Sequence, residues 1–222
     1  MQRDGDEFKI KNYYRMKKSF FILALLLLTV SLQAQYVLTK MTLSKIRAFE
    51  DSIKSECKGF VKMNVGADFF KGAKEDKDYY PLVFSRTDKS FFPGCKVEYY
   101  YSGKDSVIQC VVMDWDIMNY VSNLNTDQHF IDEQVGRKKA YYQKYEQVEK
   151  DIIALIGDPT ILTDVTKEEI FKFDNGFSVE TRWTSSKRDV ILSVSFTSPL
   201  KVINNKWRVG TFRIRLQTEF KK

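Results

Sequence analysis

"FSVETRWTSSKRDVILSVSF", residues 177–196, contains two β-strands and the turn between them. Apolar side chains fall at 177, 179 and 183, then at 190, 192, 194 and 196, an alternation that puts one face of each strand toward a core. A four-residue loop at Ser185–Arg188 sets Phe177 against Phe196, Val179 against Val194 and Trp183 against Val190. The chain on either side extends the same face. Upstream, Asp174-Asn175-Gly176 fits a three-residue hairpin loop that sets Phe173 opposite Phe177 and Phe171 opposite Val179. Downstream, Asn204-Asn205 closes a hairpin in which Val202 meets Trp207 and Leu200 meets Val209. The last strand changes phase. A bulge at Gly210–Thr211 absorbs the change and places Phe212, Ile214 and Leu216 opposite Ser198, Phe196 and Val194.

A helix precedes this meander. Tyr141, Tyr145, Val148, Ile152 and Leu155 recur every three or four residues, and Lys138, Lys144, Gln147 and Lys150 lie opposite. The helix starts near Asp127, with Gly136 a weak point, and Gly157 and Pro159 stop it. In "RKKAYYQKY" (137–145), Tyr141 and Tyr145 turn inward and Tyr142 sits among the lysines on a solvated face. The first half repeats the plan. Leu43, Ile46, Phe49, Ile53 and Cys57 predict a helix over 43–57 that stops at Gly59. Strands follow at "YPLVFSR" and in a 95–115 hairpin, while 60–90 and 116–130 otherwise carry little pattern. The expected fold class is therefore α+β. An amphipathic helix packs on a four-stranded antiparallel meander, in two tandem helix-plus-meander units (35–126 and 127–222) with a two-layer arrangement.

The plan resembles, at the level of architecture, small secreted inhibitor and envelope-assembly domains of the beta-lactamase-inhibitor-like type. "LIGDP" (155–159) is similar to the helix-ending Gly-x-Pro of such assembly lipoproteins, whose lipid-attachment cysteine this chain lacks. The resemblance implies no functional residues here.

Residues 1–34 read as an N-terminal extension and an export signal. In "MKKSFFILALLLLTVSLQAQ" (16–35), Lys17 and Lys18 precede the apolar run Phe20–Val30, and Ala34 offers a cleavage point. The run is shorter than the ~20 apolar residues a membrane span needs. Translation from Met16 and a mature end at Gln35 are expected, in the periplasm or outside the cell. With the six basic and three acidic residues before Gln35 set aside, 30 Lys/Arg stand against 26 Asp/Glu, a net charge of +4. So mild a balance favours no polyanion, and nucleic acid is not an expected partner.

Cys57, Cys95 and Cys110 are an odd number in an oxidising compartment. A Gly103-Lys104 turn pairs Tyr99 with Ile108, Val97 with Cys110 and Cys95 with Val112, leaving the thiols too far apart to bond. A Ser102-Gly103 turn would oppose Cys95 and Cys110 directly, but sets Tyr99 against Ser106. The first register is expected, with buried free thiols.

Signals for chemistry are few. His129 is the lone histidine and sits near a helix start, where it is solvated or caps. There is no Gly-x-Ser-x-Gly elbow, phosphate-cradling glycine loop or Cys-x-x-Cys, and no cofactor or metal is expected. Asp114 and Asp116 share a face at a strand end, and paired carboxylates there suit a hydrolase-like envelope enzyme. The other expectation is a non-catalytic exported binding module that uses the outer sheet face to contact an envelope or extracellular protein. Its candidate residues are Arg182, Ser195, Arg213, Arg215 and Gln217, with Ser178, Glu180, Ser193 and Thr197 between them.

Overall fold

The computed structural model describes residues 36–66, 69–70, 73, 78–88, 91, 93–116, 136–162, 177–196, 200–203, 206–209 and 212–221. The chain divides after Leu38, and every element below belongs to the unit Thr39–Lys222. In chain order these are helix Leu43–Ser52 (α1), then strands Glu56–Phe60 (β1), Met63–Asn64 (β2), Asp78–Tyr79 (β3), Leu82–Arg86 (β4), Cys95–Tyr101 (β5) and Ile108–Asp116 (β6). Helix Lys138–Ile156 (α2) follows, then Ile161–Leu162 (β7), Phe177–Thr184 (β8), Arg188–Phe196 (β9), Leu200–Ile203 (β10), Lys206–Val209 (β11) and Phe212–Phe220 (β12).

The 177–196 hairpin keeps the register read from its sequence, with Phe177 opposite Phe196, Val179 opposite Val194 and Trp183 opposite Val190. The architecture around it differs from the expectation. One antiparallel sheet of eight strands runs in the order β1-β4-β5-β6-β12-β9-β8-β7, with the pairs β10-β11 and β2-β3 as separate small sheets. It is not a helix on a four-stranded meander, nor two tandem units of that kind. The joint is β12, which pairs with β9 on one side and β6 on the other. The reason lies in β6, where both faces are apolar: Val111, Met113 and Trp115 on one, Cys110 and Val112 on the other, all buried. A strand of that kind belongs inside a sheet with cover on both sides.

The Asn204-Asn205 hairpin pairs as expected, Leu200 with Val209 and Val202 with Trp207. It stands apart from the main sheet, however. Strand β12 restarts directly beside β9, with Phe212, Ile214 and Leu216 opposite Phe196, Val194 and Leu192. That is two residues from the expected register, and a shift of two leaves every side chain on its own face. The strand read at 168–174 lies outside the described residues. The described neighbour of β8 on that side is β7, with Ile161 opposite Arg182.

Helix α2 packs on the inner face, against β9 and β12. Tyr141, Tyr145, Val148 and Ile152 are buried there with Val179, Trp183, Val190, Leu192, Val194, Ile214 and Leu216. The Tyr145 hydroxyl lies 2.7 Å from Thr181 Oγ1, Thr181 donates to Glu149 Oε1 (2.8 Å), and Trp183 Nε1 donates to the Gly157 carbonyl (2.9 Å). Gly157, at φ +89°, ends the helix as expected. Lys144 does not lie on the solvated side. It is buried, donates to Asp88 at 2.6 Å, and stands 5.4 Å over the Trp115 ring.

Helix α1 stops at Ser52, short of the expected Cys57. Lys54 takes a left-handed φ of +58° and its N–H bonds the Asp51 carbonyl, which turns the chain into β1. Glu50 has no exposure and receives Arg86 (Nε to Oε2, 3.0 Å), the Tyr99 hydroxyl and Ser55 Oγ. The side chains of Glu50, Arg86 and Tyr99 thus tie α1 to β4 and β5.

The β5–β6 hairpin uses neither turn considered above. Val97 faces Met113, Tyr99 faces Val111 and Tyr100 faces Cys110, with a bulge before the pair Tyr101–Ile108. Cys95 and Cys110 therefore point to opposite faces, five residues apart along the ladder, and all three cysteines are free. Burial pushes the Cys95 thiol up to about 12 and the Cys110 thiol well above its ordinary value, so both stay as unreactive thiols at neutral pH. Ellman's reagent at pH 8 should titrate one thiol per folded, reduced chain, the exposed Cys57, and three after unfolding. Three fast thiols in the folded state would contradict this packing.

Candidate functional site

The outer face of the sheet is covered at one end and polar beyond it. Val65 and Phe70, with Met63, Phe69 and Tyr79, pack over Tyr100, Cys110 and Val112. Next to this cover, the ladders of β5, β6, β12, β9 and β8 line up Lys96, Asp114, Arg215, Ser193 and Glu180 across the sheet.

Asp114 is the centre of that row. It is 1% exposed although it sits on the outer face, because two guanidiniums lie over it. Arg213 donates from Nε to Oδ1 (2.8 Å) and from Nη2 to Oδ2. Arg215 donates from Nε to Oδ1 (3.2 Å) and from Nη2 to Oδ2 (2.9 Å). A carboxylate has about four acceptor positions, and these four bonds fill them. Burial pushes the Asp114 carboxyl up from its ordinary value, while Arg213 and, more weakly, Lys96 pull it down. Asp116 lies 3.7 Å from Arg213 Nε. The pair Asp114/Asp116 is thus gathered, but Asp114 has no lone pair left for a substrate proton or an attacking water. General acid–base work needs such access.

The expected binding residues do not all converge. Arg213 and Arg215 come together on Asp114, and Ser195 lies opposite Arg213, with Ser193 opposite Arg215. The two arginine side chains stay 35% and 24% exposed. Arg215 therefore does not simply point to solvent; its guanidinium also stands 5.5 Å over the Phe69 ring. Gln217 is buried and spent structurally, donating from Nε2 to the Phe69 carbonyl (2.6 Å) and to Glu219 Oε1 (2.8 Å). Arg182 is exposed on β8, away from the pair, and bonds its strand neighbour Glu180. Thr197 and His129 lie outside the described residues.

Sequence reasoning missed the ion pair Lys96–Glu98 (2.8 Å), which extends the polar face on β5. The signal was present as alternating Lys96, Glu98 and Tyr100, but needed the β5–β6 register to place it beside Asp114. A groove of about 390 Å³ continues from there, lined by Lys96, Glu98, Ser85, Val83, Met63 and Lys58 among others. Among the described residues, no three His, Cys, Asp or Glu side chains gather as metal ligands. No helix among them is long and apolar enough to cross a membrane. No protein family, curated protein or solved structure matches the chain.

Proposed function

We propose that the chain is an exported, non-catalytic binding module whose outer sheet face meets an envelope or extracellular protein. The observation that carries the reading is the saturated Asp114. It fixes two arginines at the surface with their outward edges open, next to the short side chains of Ser193 and Ser195. Preorganised guanidiniums lose little entropy on meeting a partner's acceptors. The same saturation weighs against the hydrolase-like alternative at Asp114 and Asp116. Export is supported by the lysine-flanked apolar run at 16–35.

Capture from envelope extract tests the face. Ser195→Tyr adds bulk in the middle of it, and Arg182→Ala removes an exposed cation at its rim. Each should shift unfolding free energy by less than about 0.5 kcal/mol, since neither touches the core. Ser195→Tyr should abolish capture of the wild type's partner and Arg182→Ala should weaken it. Undiminished capture by both folded variants would move the binding site elsewhere.

A further inference from the structure

Strand β1 ends the eight-stranded sheet, and among the described residues β4 is its one ladder partner. Its other edge carries Glu56, Cys57 and Lys58, all exposed. Glu56 and Lys58 share one face, where they pair at 2.5 Å with side chains 68% and 46% exposed. Cys57 pairs with Phe84 and so points to the opposite face. Read antiparallel against itself, Glu-Cys-Lys is self-complementary.

We propose that the free edge of β1 pairs antiparallel with β1 of a second copy of this chain, in the register that sets Cys57 opposite Cys57. Glu56 then faces Lys58 of the second copy, and Lys58 faces its Glu56. With the ion pair already present in each strand, the two copies form a square of alternating charges. The two neighbouring registers that keep each face on its own side set Lys58 against Lys58 or Glu56 against Glu56. Like charges directly opposite are destabilising, so the charge pattern selects one register.

The bulge between Cys57 and Gly59 bends the strand, with Gly59 at φ +83°. The shared ladder is therefore short, and the dimer belongs to the weak, concentration-dependent class. The far edge of the sheet, β7, has two residues. Pairing through β1 uses the same edge on both copies, so it closes at two and does not propagate.

Cys57 makes the register measurable. Directly opposed residues of an antiparallel pair have Cα atoms about 4.5 or 5.5 Å apart, both within disulfide reach. The full chain, produced with its own leader, is mixed with glutathione disulfide and followed on non-reducing gels. Each cross-link joins two Cys57 sulfurs, and the two electrons and two protons leave with two molecules of glutathione. Wild type should form the Cys57–Cys57 dimer. Glu56→Lys and Lys58→Glu, each alone, turn both cross-strand pairs repulsive and should slow cross-linking about tenfold. An equimolar mixture of the two single variants should restore the rate as a heterodimer. The double exchange within one chain (Glu56→Lys with Lys58→Glu) should restore it as a homodimer. A single variant that merely misfolded would not regain dimerisation on mixing. Wild-type rates in the single variants, or no recovery in the mixture and the double exchange, would overturn the proposal.

Discussion

Asp114→Ala is expected to lower the unfolding free energy by about 3 kcal/mol, the lower end of what removing one partner of a buried ion pair costs. The substitution strips four hydrogen bonds at once and leaves Arg213 and Arg215 facing each other across an empty position. Two effects set the size. Asp114 is fully desolvated at 1% exposure, which favours a large loss, while Arg213 and Arg215 are part-exposed and can rehydrate, which limits it. Asp114→Asn should be nearly as damaging although it keeps the shape. Its amide group would turn two donors toward guanidinium donors. A near-neutral Asn variant would mean that packing, not charge, holds the site. Replacing the whole trio with apolar or neutral strand formers (Asp114→Val, Arg213→Thr, Arg215→Val) should recover part of the loss, because the buried carboxylate and the two guanidiniums go together, while Asp116 loses its 3.7 Å contact with Arg213. Urea denaturation of the four proteins separates these outcomes. Arg215 shares in the same balance. With Asp114 beneath it, Arg215→Ala should cost about 1–3 kcal/mol, as expected for removing a hydrogen-bond partner from a buried charge.

How far the sequence could be read depended on whether a local turn set the register. The four-residue loop at Ser185–Arg188 fixes β8 against β9, and Asn204-Asn205 fixes β10 against β11; both pairings hold residue by residue. The register of β12 against β9 was not legible in the same way. A shift of two residues preserves the faces, so Ile214 matches Phe196 or Val194 equally well by polarity. The pairing of β6 with β12 joins residues about a hundred positions apart, and no turn encodes it. Once that pairing exists, Asp114 lands directly opposite Arg215 and the site assembles. Thus the two arginines were visible as outer-face residues and the aspartate as one of a pair at a strand end, but their meeting was not. Lys144 failed for a related reason. Helical periodicity puts it off the apolar face, whereas the sheet extends far enough to bring Asp88 and Trp115 against it.

Trp115→Ala tests that long-range joint from the inner face and is expected to cost about 3–5 kcal/mol, as for other large-to-small changes at buried aromatics. Trp115 is 1% exposed and sits on β6 opposite Ile214 of β12, with the Lys144 ammonium over its ring. Its removal opens space where the strands of the first half, the strands of the second half and α2 all meet. Because the sheet is continuous through this point, the loss should be felt everywhere. Far-ultraviolet circular dichroism should report one cooperative transition. The emission of Trp183, on β8 of the same sheet, should follow it with the same shifted midpoint. Two tandem units would behave otherwise. The first would melt early while Trp183 kept its wild-type midpoint, and circular dichroism would split into two steps. Such a split would break the sheet between β6 and β12, and with it the juxtaposition of Asp114 and the two arginines on which the binding face rests.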